Sequence, residues 1–533
     1  MPLDNPLPAK NYRVMPLRII ARFLLCLATL GGSVASAQPA VHAYASPAFI
    51  DPARRAHVDA VLPELDKLFT DLAATEHLPG LIYGVVMDGQ LIHARSLGLA
   101  NLARKIPVTT ATRFRIASMT KSFVVLAALK LRDAGKLSLD DPVEKYLPEF
   151  RAVHLPLTDA PVITLRHLMT MTTGLPEDNP WGDRQMELTN TELARFVGGG
   201  LSFSNPPGQT YEYSNLGFVL LGKIVSQVAG LRFQDFITQN ILRPLGMTNT
   251  VWEFTAVPPE QFALGYQWVH DAWRPEPILH DGDAAAIGGL ITTMDDFARY
   301  VSFHLDAWPA RDEPDHGPVR RATVREMQQP RILAATAPVA LASDGKTPNP
   351  NFSFYAYGLR WTRDSRDLVK VGHGGGLPGY GSNYRFAPDH GVAVIAFCNL
   401  RYGPVYDATA NALSLLIERA PLAHRANAVS PILALRQRQV VELIQAWSPA
   451  LAAEITAENF FLDRTLADWI AETRTKFAEL GAIKTVGPLQ PENQLRGMFT
   501  LTGEKGTMQV HFTLTPERDP KLQHLELTAS PKP

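Results

Sequence analysis

The spacing of apolar and turn-forming residues predicts two groups of strands, one at each end of the longer, N-terminal part of the chain. Residues 81–87 and 90–96 are apolar-rich runs joined by Asp88-Gly89, a dipeptide that supplies the positive φ angles of a two-residue hairpin turn. Three further strands are predicted at 368–371, 382–388 and 392–398. Both groups need a partner layer that covers their apolar faces.

Helices are predicted between the two groups of strands. Residues 118–134 are densely apolar, and Gly135 follows at the position where a helix-ending glycine belongs. Further helices are predicted at 165–171, 215–229 and 295–300. Strands at both ends with helices between them predict an α+β domain, over residues 46–422, whose sheet recruits both ends of that region.

The last hundred residues have a different pattern. A short linker at 426–431 precedes two predicted helices, at 432–447 and 466–480, and three predicted strands, at 498–501, 509–513 and 522–527. This order predicts a small accessory α+β domain over residues 432–533. No residues in it form a pattern that suggests chemistry.

The N-terminal segment has the three parts of an export signal. Arg13, Arg18 and Arg22 precede the apolar run 23–30, and small residues follow up to Ala37. The run is shorter than the ~20 apolar residues of a membrane span. We therefore expect residues 1–37 to be a signal peptide cleaved after Ala37, whether translation starts at Met1 or Met15, which gives a periplasmic or secreted protein without an integral membrane span.

Composition narrows the classes of partner. Lys plus Arg (51) balances Asp plus Glu (52), which leaves a net charge of −1 and no electrostatic footprint for nucleic acid. Signal removal leaves Cys398 as the single cysteine, inside an apolar run that predicts a buried strand residue.

The spacing of His, Asp and Glu residues does not match a metal site, so we expect no metal and no cofactor. The oligomeric state stays open.

Chemistry is predicted at Ser118-Met119-Thr120-Lys121, at the start of the densely apolar helix. Residues three apart share a helix face, so the serine hydroxyl and the lysine amine can meet. A lysine that is buried can lose its proton and act as the base that activates a serine nucleophile. The same spacing recurs at Ser343-Asp344-Gly345-Lys346, but a proline-rich turn follows there, which predicts a loop.

Two later clusters strengthen this assignment. Tyr213-Ser214-Asn215 precedes a predicted helix, and a phenol beside a cationic lysine can have a depressed pKa and act as acid or base. His373-Gly374-Gly375-Gly376 follows a predicted strand, and consecutive glycines let a substrate lie against the backbone like an added strand.

Serine-x-x-lysine, tyrosine-x-asparagine and a late basic residue before glycine, in this order, resemble the penicillin-binding-protein-like serine hydrolases. Class C β-lactamases, D-Ala-D-Ala carboxypeptidases and β-lactamase-fold esterases have the most similar pattern. The resemblance implies a β-lactamase/transpeptidase-like fold, with an antiparallel sheet flanked by helices and an all-helical subdomain. It implies an enzyme that acts through an acyl-enzyme on an ester, an amide or a D-amino-acid peptide.

The resemblance also implies roles for individual residues. Ser118 is the acylated nucleophile, Lys121 its base, and Tyr213 the residue that relays the proton to the leaving group. Asn215, His373, Gly374 and Gly375 are the expected substrate contacts, with Asn215 orienting the substrate carbonyl or amide. The backbone N–H groups of Ser118 and Gly376 are the expected oxyanion hole.

The substrate preference and the function itself both stay open in the sequence. Many relatives have a lysine where this chain has His373, so we hypothesise a weaker carboxylate anchor and a preference for esters or small amides over β-lactams. The alternative function is a binding or sensing protein of the same fold that does not release product and uses the C-terminal domain for interaction.

Overall fold

The computed structural model describes residues 44–338, Leu341 and 346–531. The predicted signal peptide and Ser343 lie outside the described residues. In the longer part of the chain the strands, numbered in chain order, are β1 (Gly80–Met87), β2 (Gln90–Asn101), β3 (Ile106–Pro107), β4 (Phe114–Arg115), β5 (Tyr266–Val269), β6 (Ala272–Pro275), β7 (Ile291–Thr292), β8 (Ile332–Ala337), β9 (Asn351–Tyr355), β10 (Arg360–Asp364), β11 (Val369–Leu377), β12 (Tyr380–Ala387) and β13 (Val392–Cys398).

Four of the nine described α-helices of the same part were predicted from the sequence pattern, and five were not. The α-helices are α1 (Arg54–Thr75), α2 (Thr120–Asp133), α3 (Leu165–Thr170), α4 (Asn190–Gly198), α5 (Asn215–Ala229), α6 (Phe233–Ile237), α7 (Met294–Asp306), α8 (Arg321–Met327) and α9 (Val405–Arg419). Helices α1, α4, α6, α8 and α9 were not predicted, although the buried residues of α1, Val58, Val61, Leu65 and Phe69, recur at helical spacing.

The central feature is an antiparallel sheet with the strand order β3-β2-β1-β13-β12-β11-β10-β9-β8. β1 pairs with β13 along its whole length, so the sheet does recruit both ends of this region, as predicted. β1 is buried on both faces because α1 and α9 cover one side and the helices α2, α5 and α7 pack towards the other. This double burial explains why its sequence is a continuous apolar run.

Cys398 ends β13 and is fully buried, as its apolar neighbours predicted. Burial raises the pKa of its thiol to about 11, which keeps the sulfur protonated and unreactive at neutral pH.

The C-terminal residues build a second sheet with its own apolar core. Helices α10 (Pro431–Gln445), α11 (Pro449–Ile455) and α12 (Leu466–Leu480) precede strands β14 (Ile483–Val486), β15 (Gln490–Asn493), β16 (Arg496–Gly503), β17 (Gly506–Leu514) and β18 (Leu522–Pro531). The strand order is β14-β16-β17-β18, and β15 also pairs with β16. The described residues belong to one compact unit, Tyr44–Pro533, and the domain boundaries at 422 and 432 stay predictions.

No single described helix is both long and apolar enough to cross a membrane. The helical segments Asn215–Ala229 and Phe233–Leu242, which meet at a bend of 73°, reach that length and apolar composition only when they are counted together.

Candidate active site

Ser118 lies in a tight turn and not in the first turn of an α-helix. Residues Ala117–Met119 form a 3-10 turn that leads into α2, and Ala117 has a φ angle of 47°, a conformation that few non-glycine residues adopt. This corrects the prediction that the α-helix begins at Ser118. The left-handed Ala117 redirects the chain between β4 and α2, so that the Ser118 hydroxyl lines a cavity.

Backbone contacts hold this turn in place. The Ser382 hydroxyl on β12 donates a hydrogen bond to the Ile116 carbonyl at 2.8 Å. Gly375 on β11 lies so close that a Cβ atom there would come within 2.3 Å of the same carbonyl oxygen and 2.9 Å of the Ala117 Cβ. The glycine run therefore has a packing role, because it lets β11 lie directly against the segment that carries the nucleophile.

Lys121 is fully buried, and its amine lies at hydrogen-bond distance from three oxygens. Nζ is 2.9 Å from Ser118 Oγ, 2.8 Å from Asn215 Oδ1 and 2.9 Å from the Ile287 carbonyl. Burial lowers its pKa from 10.5 to about 7, against the opposing effect of the Asp183 and Asp178 carboxylates. A neutral amine fits this geometry, since its two N–H groups donate to Asn215 and Ile287 while its lone pair accepts the Ser118 proton.

Tyr213 faces the same pair, with the centre of its ring 5.0 Å from Lys121 Nζ. Burial raises the pKa of its phenol, and a hydrogen bond with Ser118 offsets this only in part. The expectation of a depressed pKa is therefore wrong, because desolvation of the buried phenol outweighs the interactions that lower its pKa. Tyr213 stays protonated at neutral pH and is suited to donate a proton, which leaves Lys121 as the base.

Asn215 begins α5 and lies behind the cavity wall. Its Oδ1 accepts the hydrogen bond from Lys121, and its Nδ2 donates to Asn179 Oδ1 at 2.6 Å. The Asp178 carboxylate caps α5 by accepting from the backbone N–H groups of Asn215 and Leu216. Asn215 thus fixes the position of Lys121 in the free protein, while Asn179 lines the cavity. The predicted contact of Asn215 with substrate stays a prediction.

His373 lies on β11 and is 2% exposed. Its Nε2 is 3.1 Å from the Tyr355 hydroxyl, and its Nδ1 is 2.5 Å from the Gly374 carbonyl. Burial, together with the positive charges of Lys121 and Arg360, holds its pKa well below 6.5. The imidazole is therefore neutral at physiological pH and carries no charge for binding an anion.

The glycine run opens one edge of the sheet to the cavity. β12 pairs with β11 from Val371 to Leu377, but β10 pairs only from Val369 to Gly372. Beyond Gly372 the outer edge of β11 faces the cavity, where Gly374, Gly375 and Gly376 form part of the lining. Because β10 does not pair with this part of β11, the edge suits strand-like binding of a substrate and an oxyanion contact from the Gly376 N–H.

The cavity measures about 420 Å³ and contains groups that the sequence motifs did not reveal. Arg360, half-buried on β10, donates a hydrogen bond to the Tyr211 hydroxyl at 3.1 Å and forms no ion pair with a described residue. Asp183 is 3% exposed and accepts a hydrogen bond from Tyr402 at 3.0 Å, and burial raises the pKa of its carboxyl. Asn179 and Tyr406 also line the cavity and were not predicted.

Arg360 could be predicted as a cavity residue only from the strand pairing. Arg360 pairs with Gly372, and this register places Arg360 beside His373. The other missed residues lie on loops or at a helix start, where the sequence shows no periodic pattern.

A possible metal-binding group lies elsewhere. Of the described residues, His511, His524 and Glu526, on the outer face of β17 and β18, have ligand atoms within 4.8 Å of one another, and none of the three lines the cavity. The cavity residues combine a buried amine, a hydroxyl, a phenol and open backbone N–H groups, which together suit acyl transfer.

Comparison with known proteins agrees with this chemistry. Esterase EstB of Burkholderia gladioli is 33% identical over 233 residues, which cover 41% of this chain and 57% of EstB. Protein flp of Staphylococcus aureus is 27% identical over 348 residues, and the match covers 64% of each chain. This chain therefore spans less than two thirds of the length of Protein flp.

Solved structures show the same fold. The octameric penicillin-binding protein homologue from Pyrococcus abyssi superposes with a TM-score of 0.58 at 22% identity, over 87% of this chain and 95% of the other. The penicillin-binding protein from Bacillus halodurans gives a TM-score of 0.53 at 25% identity, over 65% and 98%. A model of the Beta-lactamase family matches residues 65–419, and this chain therefore belongs to that family of penicillin-binding-protein-like serine hydrolases.

Proposed function

We propose that the protein is an exported serine hydrolase that forms an acyl-enzyme at Ser118 with an ester, an amide or a D-amino-acid peptide. The observation that supports this most directly is the buried Lys121 amine, 2.9 Å from Ser118 Oγ, with a pKa near neutrality. A base with a pKa close to the working pH is the most effective kind. Esterase EstB, which matches part of the chain, is consistent with this chemistry.

Acylation uses three side chains and two backbone N–H groups in the proposed scheme. Lys121 takes the Ser118 proton as Oγ bonds to the substrate carbonyl carbon. The bond to the leaving group breaks, and the leaving atom takes the proton of the Tyr213 hydroxyl, which regains one from Lys121. The backbone N–H groups of Ser118 and Gly376 stabilise the charge on the carbonyl oxygen.

Deacylation repeats these steps with water. The water oxygen bonds to the acyl carbon, its proton passes to the pair of Tyr213 and Lys121, and Ser118 Oγ leaves with a proton. Because Tyr213 gives and receives protons in turn, its raised pKa does not hinder the relay.

Intact-protein mass spectrometry with an activated ester tests the proposal. We expect a transient adduct on the wild-type chain together with continuous release of acid. An adduct that persists without product would instead support the alternative, a sensing protein of the same fold, and neither adduct nor release of acid would contradict both.

The charge of the cavity bears on the choice of substrate. His373 is neutral, whereas Arg360 lines the cavity and, among the described residues, has only the Tyr211 phenol as a hydrogen-bond partner of its side chain. We propose that Arg360 binds a carboxylate of the substrate and that His373 does not. The preference for esters over β-lactams, which was inferred from His373 alone, then depends on how well Arg360 reaches the carboxylate.

For Arg360→Ala we expect the ratio of kcat/KM for nitrocefin, which carries a carboxylate, to that for p-nitrophenyl acetate, which does not, to fall about 10- to 100-fold. That range corresponds to a hydrogen bond with a charged group, about 1.5–3 kcal/mol. Arg363→Ala, on the same strand but exposed and paired with Asp367, is the matched control and should leave the ratio unchanged. Equal losses on both substrates would show that Arg360 only supports the structure.

A further inference from the structure

A second concave surface lies beside the catalytic cavity. It measures about 430 Å³, and its apolar lining consists of Leu175, Pro176, Trp181, Phe196, Leu201 and Leu216, which we call the aromatic groove. Its size lies within the ~300–1,000 Å³ of typical ligand pockets. The groove is open to solvent, so a ligand could enter without rearrangement of the core.

Two large aromatic side chains are left exposed in this groove. Trp181 and Phe196 are each 44% exposed, and their rings stack with centroids 5.5 Å apart. They come from different elements, since Trp181 precedes the 3-10 turn Gly182–Arg184 and Phe196 lies on α4. Exposed apolar surface gathered in a concavity is a mark of a binding site, because leaving it in water costs free energy that a ligand can recover.

The groove adjoins the catalytic cavity at one residue. Glu177 lines both of them. Along the segment that follows, Asn179 and Asp183 line the cavity, whereas Trp181, between them in sequence, lines the groove. A single segment therefore forms the wall between the two, and a substrate that occupies both has to pass over Glu177.

We propose that the aromatic groove binds the apolar acyl arm of the substrate, an aliphatic or aryl chain without charge. The proposal rests on the acyl-enzyme function proposed above. Tyr213 protonates the leaving group, which therefore lies on the side of Tyr213 and Arg360, so the acyl group points towards Asn179 and the groove. The carboxylates of Glu177 and Asp178 at the groove disfavour an anionic chain.

Hydrolysis of p-nitrophenyl esters of increasing acyl length, from acetate to octanoate, tests this with a constant leaving group. For the wild-type chain we expect kcat/KM to rise about fourfold for each methylene that enters the groove. In Trp181→Ala and Phe196→Ala the ratio of kcat/KM for octanoate to that for acetate should fall at least tenfold. Trp273→Ala, a comparably exposed tryptophan on β6 outside the groove, is the matched control and should keep the wild-type ratio.

A flat or falling dependence on acyl length in the wild-type chain would overturn the proposal, and so would a ratio that survives both substitutions. A wild-type dimer that Trp181→Ala converts to a monomer in sedimentation, with the ratio unchanged, would show that the groove is a contact between copies and would also overturn it.

A binding experiment distinguishes whether the groove proposal or the proposed hydrolase function is wrong. Octanamide binding to Ser118→Ala, measured by calorimetry, does not require turnover. We expect octanamide to bind at least tenfold more tightly than acetamide and to lose this advantage when Trp181→Ala is added. Binding without any ester hydrolysis by the wild-type chain would reject the hydrolase and keep the groove, whereas hydrolysis with equal binding of both amides would reject the groove alone.

Discussion

Ser118→Ala should abolish hydrolysis and the covalent adduct together. Loss of the nucleophile of a covalent mechanism removes the whole pathway, and we expect kcat to fall at least about 10⁴-fold. The substitution takes one hydroxyl from a turn that backbone contacts of Ile116 hold, so the melting temperature should stay close to that of the wild type. Steady-state rates, intact mass and thermal unfolding together measure these effects.

Ser343→Ala is the matched control for this prediction. Ser343 begins the second serine-x-x-lysine sequence, which lies in the proline-rich stretch and outside the described residues. Activity and adduct should both be unchanged in Ser343→Ala. If Ser343→Ala lost the adduct while Ser118→Ala kept it, the nucleophile would be wrongly assigned.

Lys121→Met should reduce kcat/KM by about 10²- to 10⁴-fold, the usual contribution of a positioned base. Only the neutral amine can accept the Ser118 proton. With a pKa of about 7, kcat/KM of the wild type should therefore rise tenfold per pH unit below pH 7 and level off above it. The rise should be absent in Lys121→Met. A rise that continues to pH 10, as for an ordinary lysine, would contradict the depressed pKa.

The same lysine should lower stability at neutral and acidic pH. Its pKa is about 7 in the folded protein, against 10.5 for an unperturbed lysine. Between these values the unfolded chain holds a proton that the folded chain has lost, so the free energy of unfolding should increase with pH from about 7 to 10.5. Lys121→Met removes this effect, and its stabilisation relative to the wild type should be largest below pH 7.

Denaturant unfolding from pH 6 to 9 measures the difference in stability. Lys136→Met, an exposed lysine just beyond α2, should follow the wild-type curve at every pH. A Lys121→Met protein that is less stable than the wild type at pH 6 would show that the three hydrogen bonds of the amine outweigh the cost of burying it.

Much of the fold follows from local pattern. The β1–β2 hairpin and the helix from Asn215 to Ala229 agree with the prediction, because apolar periodicity and turn residues act over a few neighbours. The pairing of both ends in one sheet also agrees, because strands at both ends of an α+β domain share one layer. Helix α1 has the same kind of apolar periodicity but was not predicted. The 3-10 turn at Ser118 had no such signal, since its shape depends on contacts with β11 and β12.

Some residues of the candidate site were predicted from sequence motifs, and others were not. The types of reacting group at Ser118, Lys121 and Tyr213 were predicted because motif order and spacing along the chain indicate them. Arg360, Asn179 and Asp183 were not predicted, because each is brought to the cavity by strand pairing or by a loop that no periodic pattern describes.

The sequence by itself determined which functional groups this protein can use and, through resemblance, the family to which it belongs. The tertiary structure decided their charge. Burial among residues as distant in sequence as Ile287 lowers the pKa of Lys121 to about 7, so that its amine loses the proton near neutral pH, and burial keeps His373 neutral. A pKa depends on the solvent and charges around a group in space, and no local stretch of sequence specifies those.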